Sequence, residues 1–152
     1  MTMRLTSAAF ANGDEIPARF TCDGQNLSPP LGWSGAPPET RSFAIVCRDP
    51  DAPGGVWYHW AAFDIAGTVD GLAEHCRPGS TEMRQAVNDF GKSGYGGPCP
   101  PRGHGRHHSH FTLTALDVEH LAAPASVHCR EVEKTIGAHA LATAELVGIY
   151  AR

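Results

Sequence analysis

Two short runs limit what this chain can fold into. The first is Asp49-Pro50-Asp51-Ala52-Pro53-Gly54-Gly55 and the second is 91–105, GKSGYGGPCPPRGHG, with six glycines and three prolines. Neither can be helical: proline fixes φ and lacks an N–H donor, and glycine favours turn geometry. Each run feeds a stretch that reads as a strand. Val56–Ile65 follows the first, and strict alternation places Trp57, His59, Ala61, Phe63 and Ile65 on one side. His107–Asp117 follows the second, with His107, Ser109, Phe111, Leu113 and Ala115 on one face and His108, His110, Thr112 and Thr114 on the other. In both cases the apolar face opens close to a histidine. If the two strands share a sheet, His59, His107 and Asp49 meet at one rim.

The rest of the chain fits a β protein. Gly and Pro total 29 of 152 residues, too many breakers for a helical bundle. Residues 2–10 predict a first strand ended by Asn12-Gly13, and 41–47 another with Phe43, Ile45 and Cys47 on one face. The stretch 66–90 predicts mostly loop. One helix is expected over 126–144, capped by Ser126, with Cys129, Val132, Ile136 and Ala140 at helical spacing. The length suits one domain spanning 1–152.

A net charge of −4 argues against a nucleic-acid binder that works by neutralising phosphates. No window is apolar enough for a membrane-spanning helix, and the first ten residues, MTMRLTSAAF, lack the apolar run of a signal peptide. The five cysteines, Cys22, Cys47, Cys76, Cys99 and Cys129, form no CxxC pair, so a cytoplasmic protein with five reduced thiols is expected. No cofactor motif is present; the glycine run lacks the GxxxxGK[ST] order.

DPDAP, then WYHW, then GYGGPCPPRG leading to His107 resembles the phosphatidylethanolamine-binding protein family, most closely its small bacterial and archaeal Raf-kinase-inhibitor-like branch. The likeness extends to FTCDGQNLSPPLGW at 20–33, NDFGKSGYGGPCPP at 88–101, FTLTALD at 111–117 and the C-terminal ELVGIYAR. It implies an antiparallel, Greek-key-like β-sandwich with a few peripheral helices and an anion-binding pocket at one end. Carried over by motif, the ligand-binding residues are Asp49 and Asp51 from the DPD turn, Trp57 and His59 from the next strand, Gly97, Pro100 and Pro101 from the Gly/Pro loop, and His107. The implied ligand is phosphate or a phosphoethanolamine-like headgroup. The resemblance also implies a homodimer and a role in regulating kinases or other protein partners. Cys22 and Cys99 fall in the loops that would frame this pocket. One departure stands out. The family reads H-R-Y where this chain has His107-His108-Ser109, and a serine there predicts a roomier pocket.

Other assignments also suit these residues. Asp51 and Asp49 suit Asx turns, and Trp57 suits simple core packing. His104, His107, His108 and His110 could bind metal, with His108 and His110 chelating from one face. Ser109, His107 and an aspartate suggest a hydrolase, but i,i+2 side chains on a strand run parallel and no GxSxG elbow exists. A binding protein and not an enzyme is therefore expected.

Overall fold

The computed structural model describes residues 2–152. Its strands are β1 (Arg4–Thr6), β2 (Leu31–Ser34), β3 (Ser42–Asp49), β4 (Trp57–Ala66), β5 (Gly71–Leu72), β6 (Arg84–Gln85), β7 (His107–Leu116) and β8 (Ala140–Tyr150), with one α-helix, α1 (Cys129–Ile136). They form two sheets, ordered β1-β2-β5 and β6-β4-β3-β7-β8, and every strand pair is antiparallel. The three strands expected at the centre, β3, β4 and β7, are the central ones. β3 lies between the other two, so His59 and His107 are held on the strands flanking Asp49.

The main core fills the space between the sheets. Leu5, Leu31, Trp33 and Leu72 from one sheet pack with Phe43, Ile45, Cys47, Trp60, Phe111 and Leu113 from the other. On the outer face of the large sheet, Ala44, Val46, Tyr58, Ala61 and Phe63 are covered by Cys129, Val132 and Ile136 of α1. The alternation read for β3 and β7 holds: their odd-numbered apolar residues face the core between the sheets, and the even-numbered Ala44 and Val46 face the helix.

Strict alternation fails in β4. Register slips by one residue between Cys47↔Trp60 and Arg48↔Tyr58, and again between Phe43↔Ile65 and Ile45↔Ala62. Each slip is a β-bulge, in which two residues oppose one and the side-chain phase resets. Ala61 and Phe63 therefore turn to the helix side while Ile65 returns to the core between the sheets. At the second bulge Asp64 has φ +57°, a left-handed conformation that aspartate tolerates better than most side chains.

The helix is shorter than its periodicity suggests. It starts after His128, whose ring accepts from the Arg130 N–H, and ends at Gly137. Ala140, the fourth residue of the apparent stripe, belongs to β8. An alanine-rich segment of good helix propensity is here recruited by long-range pairing along the whole of β7, from Leu116↔Ala140 to His107↔Tyr150. The short strand β2, holding Trp33, also went unread between two breaker runs. Along the free edge of β8, the 13–16 segment hydrogen-bonds to Val147 and Ile149, which covers an otherwise open sheet edge. Gly148 permits this close approach, since a Cβ there would lie 2.3 Å from Ile16 Cγ1.

Candidate functional site

The end of β3, the start of β4 and the start of β7 surround a cavity of about 270 Å3. Its walls are Asp49, Ala52, Pro53, Trp57, His59, Phe90, Cys99, Pro100, Pro101 and His107. Six of the residues expected from sequence therefore come together: Asp49, Trp57, His59, Pro100, Pro101 and His107. Asp51 and Gly97 do not reach the wall. Ser109 is also absent from it, buried further along β7.

Asp49, buried at 5 % exposure, uses both carboxylate oxygens. Oδ1 accepts from the Asp51 N–H at 2.7 Å, an Asx turn that starts the DPDAPGG loop. Oδ2 accepts from His107 Nδ1 at 2.6 Å. The turn-capping and histidine-orienting roles are thus combined in one side chain. Asp51 instead fastens the turn to β7, accepting from the His108 N–H at 2.9 Å and from His108 Nδ1 at 2.7 Å. Burial works to raise the Asp51 pKa, but the His108 side-chain and backbone hydrogen bonds outweigh it and hold the group below its ordinary value.

His59 is held by a two-way clasp with the Gly/Pro loop. Its Nδ1 donates to the Gly96 carbonyl at 2.6 Å, while the Gly96 N–H donates to the His59 carbonyl at 3.0 Å. Burial, partly countered by the Gly96 hydrogen bond, pushes this imidazole below its usual pKa, so it is neutral at pH 7. Desolvation outweighs the nearby carboxylates of Asp49 and Asp89, which act to raise it. The unfolded chain binds more protons at this residue, so its contribution to stability is lost as pH falls below about 6.5.

One wall group, Phe90, went unseen in the sequence. Phe90 packs against Trp57 and His59, with ring centroids 5.2 and 5.8 Å apart. It is placed by buried Asn88, whose Oδ1 accepts from the N–H groups of Phe90 and Lys92 and whose Nδ2 donates to the Gly94 carbonyl. His104, read from sequence only as a candidate metal ligand, does not line the cavity but touches the site through His107, its Nδ1 lying 2.6 Å from His107 Nε2. A polar loop histidine gives no sign in sequence that it will turn back onto the site. Trp57 carries a buried indole N–H with no hydrogen-bond partner, which costs about 1–3 kcal/mol unless something accepts from it.

The Gly/Pro loop is anchored from behind. Gly97 lies in that anchor: its N–H donates to Asn26 Oδ1 at 2.8 Å, and a Cβ there would fall 2.2 Å from the Phe20 carbonyl oxygen. Tyr95 Oη donates to the same carbonyl, and Arg152 reaches Pro100 O and Asp23. Cys99 is joined to Cys22 by a disulfide with Cα atoms 5.4 Å apart. The expectation of five free thiols is therefore corrected to three, Cys47, Cys76 and Cys129. The two loops are brought together only by the sheet, so sequence spacing did not reveal the pair.

His108 and His110 do not converge. His108 faces Asp51, and His110 Nδ1 lies 3.4 Å from Glu145. No cluster of three or more candidate metal ligands occurs among the described residues. Replacing His108 and His110 together with alanine should leave ligand affinity within about twofold, because neither lines the cavity. Isothermal titration against wild type checks this; a loss as large as that of a His107 variant would place them in the site.

Comparison with known proteins shows the family and the fold. The phosphatidylethanolamine-binding protein family profile matches residues 6–151, and the chain belongs to that family. A UPF0098 protein of Aquifex aeolicus is 43% identical over 152 residues, covering 99% of this chain and 89% of that one. The crystal structure of Escherichia coli YbcL, described as a member of the mammalian PEBP family, superposes with a TM-score of 0.93 at 35% identity, covering 100% of this chain and 99% of that one. A Chlamydia trachomatis homologue, CT736, gives 0.89 at 36% identity, covering 99% and 98%. No helix among the described residues is long and apolar enough to cross a membrane.

Proposed function

We propose that the protein binds a small phosphate-bearing ligand, phosphate itself or a phosphoethanolamine-like headgroup, in the cavity walled by Asp49, His59 and His107. The observation that carries this is the convergence of two imidazoles, each oriented through Nδ1 by a buried acceptor, on one largely apolar cavity. An apolar wall of Ala52, Pro53, Trp57, Phe90, Pro100 and Pro101 with a few fixed polar groups is the usual makeup of a small-molecule site. The polar end suits the head of the ligand, and the apolar rim suits what is attached to it. Pro100 and Pro101 shape the wall directly. Asp51 and Gly97 act through the loops they hold.

Binding without turnover is part of this proposal; it is supported by a wall without serine or threonine whose one cysteine, Cys99, is held in a disulfide. Regulation of kinases or other protein partners, a homodimer and a cytoplasmic location complete the proposal. Light scattering coupled to size exclusion decides the dimer. The Cys22–Cys99 pair is the feature that pulls against a reducing compartment.

Titration with phosphate and phosphoethanolamine, followed through the imidazole signals, tests the binding. Both His59 and His107 should shift with one shared binding curve. His59→Ala and His107→Ala should each weaken affinity by about 1.5–3 kcal/mol, and the double variant by less than the sum. Rings that stay silent, or that respond to different ligands, would remove the shared site.

A further inference from the structure

The tautomers of the site are determined by its neighbours. A carbonyl oxygen can only accept, so the Gly96 contact fixes the hydrogen of His59 on Nδ1. A carboxylate likewise fixes the hydrogen of neutral His107 on Nδ1, towards Asp49. His107 Nε2 then bears a lone pair and accepts from His104 Nδ1, completing a chain from buried carboxylate to loop imidazole. His59 Nε2 has no partner among the described residues, and in the neutral ring it is an acceptor. The cavity wall carries no lysine or arginine. Its polar atoms are therefore mostly acceptors, which is unusual for an anion site.

We propose that the cavity selects an oxyanion that brings its own hydrogen, such as hydrogen phosphate or a singly protonated phosphomonoester, over anions that carry none, such as sulfate or a phosphodiester. This rests on the binding proposed above and names the protonation class of the ligand. The P–O–H group donates to His59 Nε2. Around His59 the titratable groups are Asp49 from β3, Asp89 from the 88–97 loop and His107 from β7. Burial holds the ring neutral despite the two carboxylates, so an anion without a hydrogen must first have His59 protonated. Hydrogen phosphate keeps a hydrogen across the neutral range, a phosphomonoester, with a second pKa of about 6, keeps one mainly below that pH, and a phosphodiester has none.

The test is calorimetric titration of the full chain with inorganic phosphate, phosphoethanolamine, glycerophosphoethanolamine and sulfate. It is run near pH 6 and pH 8, in buffers of different ionisation enthalpy so that proton uptake is counted. Near pH 8, phosphate should bind without net proton uptake and sulfate at least about tenfold more weakly. Sulfate should recover about tenfold per pH unit on acidification, with one proton taken up. The diester should follow sulfate and phosphoethanolamine should lie between. His59→Ala should level phosphate and sulfate; if it does not fold, the wild-type comparison and the imidazole nitrogen shifts still decide. Sulfate equal to phosphate near pH 8, or a His59 hydrogen found on Nε2 in the ligand-free protein, overturns this inference alone. No binding of any anion overturns the proposed function and the inference with it.

Discussion

Replacing Cys22 and Cys99 together with serine should lower the free energy of unfolding by about 4 kcal/mol under oxidising conditions. The bridge spans 77 residues, so in the chain-entropy account it removes a large amount of freedom from the unfolded state. In a protein whose total stability is roughly 5–15 kcal/mol, a loss of that size is easily seen in denaturant melts. The expected signature is a difference between variant and wild type that vanishes when reductant is added to both. Function should respond too, because Cys99 is itself a wall residue and the disulfide holds the Gly/Pro loop against 20–26. Equal melts without reductant, or five titratable thiols in freshly alkylated protein, would show that the bridge does not form.

Asp49→Ala should cost about 3 kcal/mol of stability and abolish ligand binding. It strands two donors at once, the half-buried Asp51 N–H and the buried His107 Nδ1. The DPDAPGG turn loses its Asx bond and His107 loses the group that fixes its tautomer. Asp49→Asn separates the two effects. An amide offers one accepting oxygen in place of two, so it can keep the turn only by presenting its NH2 to His107. That forces His107 to accept at Nδ1 and to carry its hydrogen on Nε2. Stability should fall by only about 1 kcal/mol, while the nitrogen shifts of His107 exchange roles. An Asn variant with unchanged His107 shifts would mean that Asp49 does not set the tautomer.

Much of the fold was legible because its signals are local. Two Gly/Pro runs exclude helix wherever they stand, and β3 and β7 show period-two patterns that follow from one face meeting the core and the other a thinner layer. The three central strands and the convergence of Asp49, His59 and His107 come from those patterns, and the DPDAP and GPCPP motifs point to the same family. Motif carry-over was weaker for the roles of single residues. Asp51 and Gly97 belong to the motif and shape the site through the loops they hold, without lining it.

What remained hidden depends on partners distant in sequence. The bulges in β4 arise from pairing with β3, so no window on β4 alone could place Ala61 and Phe63 on the helix side. The segment 140–144, alanine-rich and read as the end of the helix, becomes strand because β7 offers it a ladder of hydrogen bonds. Cys22 and Cys99 meet only after the 20–26 and 95–101 loops dock, and His104 reaches His107 only because its loop folds back. The sequence by itself determined which residues have the chemistry to hold an oxyanion. Only the tertiary structure decided which nitrogen of each imidazole carries the hydrogen, because the carbonyl and carboxylate that accept from it come from distant parts of the chain.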